Sequence, residues 1–208
     1  MRLFLERVDR FLDVKLDVTP RALILMAALL LLPTYVFPLW KLTLFAPQYQ
    51  DGLRLQIYSW KLDGGNNGQD VKEVNVLNHY IGMRDLDTAS FTEFKWIPFV
   101  VGALVLLLLR TAVLGHMGHL VDVVVLFFYF GLFSLWSFGF KLWVWGHDLA
   151  PGAAVKVPGF MPPLFGYQKI ANFEVYSYPE MGTYAFAAVA LLLVVALLVG
   201  WRQRGTPA

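Results

Sequence analysis

The sequence predicts an all-α membrane protein, with four transmembrane helices, an N-terminal interfacial helix and two long outward loops, the first with room for a short strand pair. Three observations point there. The 208 residues are 58% hydrophobic, with a mean hydropathy of +0.57, against the roughly 45–50% apolar content of a soluble domain. Four apolar runs punctuate the chain, each long enough at 1.5 Å per residue to cross about 30 Å of hydrocarbon. The charged residues collect between those runs and at the two ends.

Taken in order, residues 1–20 set Leu3, Phe4, Val8, Phe11, Leu12 and Val14 among Arg2, Glu6, Arg7, Asp9, Arg10, Asp13 and Lys15 at nearly helical spacing. Such a helix buries one face, either on the membrane surface or against the ends of the spans. Thr19-Pro20 is a helix-start signal, with proline at the first helical position. The first long apolar run follows Arg21 without a small-residue cleavage pattern, so it is expected to stay in place rather than act as a removable leader.

The first span occupies residues 21–40. Pro33 and Pro38 each remove a backbone donor, which predicts a kink or an early end between Thr34 and Trp40. Residues 41–96 form the first outward loop, where Leu53, Leu55, Ile57 and Tyr58 favour a strand. Gly64-Gly65-Asn66-Asn67-Gly68 reads as a turn or a mobile loop. The second span, 97–114, begins at Trp96-Ile97-Pro98 and is interrupted only by Arg110, placed to snorkel to the headgroups. A short connection, 115–119, leads into the third span at 120–145, which is dense in Phe, Trp and Tyr and carries Asp122 and Lys141 near its ends. Residues 146–183 make a second outward loop rich in Pro and Gly. The fourth span runs over 184–201, with a tail at 202–208 bearing Arg202 and Arg204.

Orientation follows from the basic residues. Arg2, Arg7, Arg10, Lys15 and Arg21 precede the first span, Arg110 sits beside the short connection, and Arg202 and Arg204 end the chain. Cytoplasmic segments carry such an excess, so both termini are expected in the cytoplasm and both long loops outside.

Composition also narrows the chemistry. A net charge of +2, with the basic residues dispersed, gives no stripe for nucleic acid. The absence of cysteine removes disulfides, thiolate metal sites and thiol nucleophiles. No P-loop, nucleophile elbow, HExxH or dinucleotide glycine pattern occurs. The chain is therefore expected to be non-enzymatic and to carry no cofactor.

Specificity is expected in the polar stretch Asp70–Pro98, where Asn75, Asn78, His79, Tyr80, Met83 and Arg84 lie close together. His79 and Met83 stand four apart, and on a helical turn an imidazole and a thioether at that spacing suit copper(I). Completing such a site needs His147, Met161 or Met181 from the second loop. The other reading is that His79 and Tyr80 hydrogen-bond within a packed loop while Met83 fills a gap. His116 and His119 can be a partial metal site, half of a proton path or simply interfacial residues. Asp122 is either functional, as a carboxylate inside a span usually is, or explained by water access a turn from the interface or by pairing with Arg110. With no histidine in the middle of a span, haem between facing helices is not expected. The third-span aromatics offer either a lipid-facing surface or a docking face for another membrane subunit.

At FPLWKL (37–42), APQYQDGL (46–53), DVKEVNVLNHYIGM (70–83) and VPGFMPPLFGYQKIANF (157–173) the chain resembles a family of bacterial four-span membrane proteins. That family is associated with gene clusters for respiratory nitrogen-oxide reduction and copper handling, and includes the accessory membrane protein of cytochrome c-dependent nitric oxide reductases. The resemblance implies a bacterial inner-membrane protein that serves a larger multi-span respiratory subunit as accessory or assembly factor. The residues expected to carry such docking are Asn75, Asn78, His79, Tyr80, Met83, Arg84, Pro162, Pro163, Asn172 and Phe173. The alternative it leaves open is copper delivery at the outer face through His79, Met83, His147, Met161 and Met181.

Overall fold

The computed structural model describes residues 2–170 and 172–203, without the side chains of residues 2–5 and 7. Most of the expected tail, with Arg204, lies outside the described residues, as do the side chains of Arg2, Leu3, Phe4 and Arg7. The chain is mixed α/β, 59% helical with a five-stranded antiparallel sheet, so the expectation of an all-α fold is overturned. It divides into two compact units. One holds residues up to 33, 99–132 and 184 onward, and the other holds 34–98 and 133–183.

Among the described residues four helices are long and apolar enough to cross a membrane, spanning Val18–Tyr35, Glu93–Leu114, Met117–His147 and Met181–Arg202. These match a multi-pass membrane protein. The first is an α-helix, α2 (Val18–Leu31), that tightens into a 3₁₀ turn over Leu32–Tyr35. Pro33 supplies the reason, since it has no N–H to extend the α ladder. The others are α4 (Glu93–Leu114), α5 (Met117–His147) and α6 (Met181–Arg202). In the first unit each buries a stripe at three- and four-residue spacing: Ile24, Ala27, Ala28 and Leu31 on α2; Val101, Leu104, Leu108 and Thr111 on α4; Leu120, Val123, Val124, Phe127 and Phe130 on α5; Val189, Leu193 and Ala196 on α6. The small Ala27, Ala28 and Ala196 allow close approach, which replaces the hydrophobic drive that lipid does not supply.

The N-terminal helix α1 (Arg2–Leu12) belongs to the same unit. Its Phe11 ring meets Trp201 at 6.1 Å between centroids. The segment after it pairs with the α4–α5 connection, Leu16 N donating to Gly115 O at 2.7 Å and Met117 N to Val14 O at 2.9 Å. Arg21 donates to Ala112 O and Val113 O, each at 2.7 Å. Those carbonyls end α4 without intrahelical partners, and a guanidinium answers both the hydrogen-bond need and the negative end of the helix dipole.

In the second unit, strands β1 (Trp40–Ala46), β2 (Tyr49–Ile57), β3 (Leu62–Gly64), β4 (Gly166–Ile170) and β5 (Phe173–Pro179) pair in the order β3-β2-β1-β5-β4. The two long loops therefore meet in one sheet, through β1 and β5. Trp40, read from the sequence as the end of the first span, instead opens β1. Alternation decides the faces. Leu42 pairs with Leu55 and Ser177, and Leu44 with Leu53 and Val175, which puts an apolar row under helix α3 (Gln69–Ile81). There Leu53, Leu55, Val74 and Leu77 form the core, flanked by Leu62, Val71, Leu86 and Phe173. Burying one such side chain contributes about 1.5–3 kcal/mol. The second face carries Arg54, Thr43, Tyr176 and Tyr167 in one cross-strand row.

Candidate functional site

Helix α3 carries most of the residues singled out from the sequence, and buried Asp70 anchors its start. One carboxylate oxygen accepts from Arg54 N at 2.8 Å and the other from Asn66 Nδ2 at 2.7 Å. This ties the Gly/Asn turn and β2 to the positive end of the helix. One turn further on, Tyr49 donates a short hydrogen bond to Glu73, which also accepts from Gln69 at 3.2 Å. The bond from Tyr49, more than that from Gln69, holds the Glu73 carboxyl below its ordinary 4.5, while the same bond with burial raises the Tyr49 phenol above 10.0.

Helix α3 ends at Gly82, whose φ of +77° is left-handed, as is common for a glycine just past a helix. Gly82 N bonds to Asn78 O and His79 O, and Met83 N to Asn78 O at 2.8 Å. The chain thus leaves the helix before Met83, and the helical His79–Met83 juxtaposition expected from four-residue spacing does not form. A Cβ at Gly82 would stand 2.8 Å from Ala150 O, because the second loop is pressed against this point. Ala150 N donates to Gly82 O at 2.8 Å, Val155 N to Tyr80 O at 2.9 Å, and Arg84 forms an ion pair with Asp148.

The ten residues proposed for docking divide into two sets. Asn75 holds Leu86 by accepting from its N–H at 2.7 Å and donating to its carbonyl at 3.4 Å, and buried Asn78 donates to Arg84 O at 3.4 Å. Pro163 is buried, Phe173 packs on the core, and Pro162 and Met83 are half-buried. These positions shape the surface more than they present it. His79, Tyr80, Arg84 and Asn172 are exposed.

The residues of the copper alternative lie on separate elements. His79 is on α3 and Met83 follows it; Met161 is exposed in the second loop and Met181 exposed at the start of α6. His147 stacks on Trp143 at 4.6 Å, its Nδ1 at 2.9 Å from Trp143 O. Among the described residues no group of three or more His, Asp or Glu is placed to hold a metal.

Two further features were only partly legible. Lys141, placed from the sequence near an end of the third span, lies 3.7 Å from Glu93, reaches Ser90 O at 3.2 Å and sits over the Phe91 and Trp145 rings. Ser137 donates to the same Glu93 at 2.8 Å, so polar contacts fix the start of α4 to α5. Beside them Trp136, Phe140, Trp143 and His147 form a continuous ladder, with centroid separations of 5.6, 6.3 and 4.6 Å and planes within 18°. Trp136, Phe140 and Trp143 are 61%, 51% and 48% exposed.

In the first unit, Arg110, Thr111, His119 and Asp122 line a cavity of about 150 Å³ with Leu107, Val123 and Leu126. Arg110 and Asp122, read as possible partners, form no ion pair; the three among the described residues lie elsewhere. The His116 and His119 rings are 5.6 Å apart, and both Nδ1 atoms are buried without a hydrogen-bond partner.

Comparison with family models, with curated proteins and with solved structures returns no match.

Proposed function

We propose that this chain is a non-enzymatic accessory subunit or assembly factor of a respiratory nitrogen-oxide reductase, nitric oxide reductase first among them, in the bacterial inner membrane. The observation that carries the docking reading is the ring ladder on α5. Its members recur at spacings of four, three and four residues, the repeat that keeps one seam facing a partner helix, and large aromatics are enriched in interface cores. Lipid contact requires apolar character but no such register. The occupant is a transmembrane helix of the larger subunit, with exposed Tyr80 and Arg84 meeting its water-facing part. The respiratory assignment rests on the resemblance at DVKEVNVLNHYIGM and VPGFMPPLFGYQKIANF.

Mild detergent extraction from native membranes, followed by sizing and mass spectrometry, tests this. The larger subunit is expected to co-purify with the wild-type chain and to be largely lost from the Trp136→Leu/Trp143→Leu double variant, with lower reductase abundance or activity in cells. A lone species near the chain's own 23.6 kDa in several mild detergents, with reductase activity indifferent to deletion of the gene, overturns the proposal.

A further inference from the structure

Arg110 and Asp122 occupy positions where an uncompensated charge is costly. Arg110 stands four residues before the end of α4, and Asp122 five residues after the start of α5, so at 1.5 Å per residue each lies about 6–8 Å in from its helix end. That is the depth of headgroups and glycerol in a bilayer whose polar regions bring its thickness to about 40–45 Å. Here both side chains are exposed, no ion pair joins them among the described residues, and a cavity of about 150 Å³ lies between them. Leu107, Val123 and Leu126 supply its apolar lining, and Thr111 donates its hydroxyl to Leu107 O at 2.7 Å. The buried Nδ1 of His119 has no partner.

The geometry points to a binding site for the headgroup of a zwitterionic phospholipid with a primary ammonium, the phosphatidylethanolamine class. The phosphate is held by the Arg110 guanidinium, which matches phosphate oxygens in a fork. The ammonium donates an N–H to the Asp122 carboxylate, His119 completes the polar rim, and the apolar lining takes the first carbons beyond the headgroup. At about 150 Å³ the cavity has room for the polar part of a headgroup while the acyl chains remain in the bilayer. Both charges are needed for this assignment. A phosphatidylglycerol headgroup brings no cation to Asp122, and the quaternary ammonium of phosphatidylcholine has no N–H to donate. The inference uses only the spans and is independent of the respiratory partner.

Native mass spectrometry of the purified full-length chain, with thermal melting in lipid nanodiscs, tests it. The wild type is expected to retain one phosphatidylethanolamine per chain through mild delipidation. Its melting midpoint in phosphatidylcholine discs should rise when phosphatidylethanolamine, but not phosphatidylglycerol, is added. Arg110→Gln should lower phosphatidylethanolamine retention at least tenfold, and Asp122→Asn should abolish the preference over phosphatidylcholine. Equal retention of all three lipids, a preference for phosphatidylglycerol, or an intact preference in Asp122→Asn overturns the inference. Should either variant fail to assemble, the three-lipid comparison on the wild type still decides.

Discussion

At Glu73, beside the α3–sheet core, hydrogen bonds from Tyr49 and Gln69 favour the ionised carboxyl, and the direction of that shift gives a pH dependence. The carboxyl titrates below its ordinary 4.5 because Tyr49 and then Gln69 donate to the ionised form. A lowered carboxyl contributes stability that is complete above 4.5 and is lost as pH falls through the folded value. Tyr49, raised above 10.0, contributes below 10 and loses that contribution as pH climbs through its folded value. The contact should therefore weaken in acid and in strong base. Tyr49→Phe removes the largest cause, so NMR titration should show the Glu73 carboxyl moving upward from its wild-type value. An unchanged value would remove Tyr49 from the account. Gly82 is the other decisive residue. At φ +77°, with Ala150 O 2.8 Å from any added Cβ, Gly82→Ala meets both a left-handed penalty of about 1–2 kcal/mol and a clash. A loss of about 2 kcal/mol or more is expected, read as a midpoint lower by several degrees in thermal unfolding. Gly68→Ala provides the comparison, since φ is +85° there but nothing lies within 4 Å, and it should cost less.

Among elements, α5 departs furthest from a plain membrane span. Its 31 residues make about 46 Å of helix, well beyond what roughly 30 Å of hydrocarbon requires. Its aromatic stretch faces two ways. Trp145 stacks on Phe91 at 5.2 Å, and Phe138 meets Trp40 edge-on at 5.5 Å, while Trp136, Phe140 and Trp143 face outward. Aromatic content was plain in the sequence; which rings were committed to internal packing was not, because that depends on where residues 40 and 91 come to rest. The same dependence governs Asn75 and Asn78. Their cluster with His79 and Arg84 reads as a recognition motif in one dimension, yet both amides hold the backbone of residues 84–86.

For the whole molecule, the arrangement of basic residues around four apolar helices leads to a topology that can be measured. Reporter fusions after Gly68 and near Pro163 should read outside, and fusions after Gly115 and at Ala208 inside. An inside result at Gly68 would reverse the orientation on which exposed Tyr80 and Arg84 meet an outward partner. The sheet adds a consequence. Because β1 and β5 pair along six residues from Trp40↔Pro179 to Phe45↔Glu174, the first and second long loops fold as one body, and damage to either should be felt in both.

The sequence by itself determined the four membrane-competent helices, since a run of about 20 apolar residues has few other stable fates and the signal is local. It determined the weakened end of the first span as well, because proline acts on its own backbone. The sheet was decided only in the tertiary structure. Lys41-Leu42-Thr43-Leu44 alternates, but it adjoins a long apolar run that masks the pattern. Phe173-Glu174-Val175-Tyr176-Ser177-Tyr178 sets aromatics on both faces and so lacks a clean period. Its partner strand lies some 130 residues away, and pairing over that distance depends on backbone hydrogen bonds whose register no local window contains. The same holds for Arg110 and Asp122. Their identities and spacing were visible, but only the packing of α4 beside α5 shows that they bracket a cavity instead of each other.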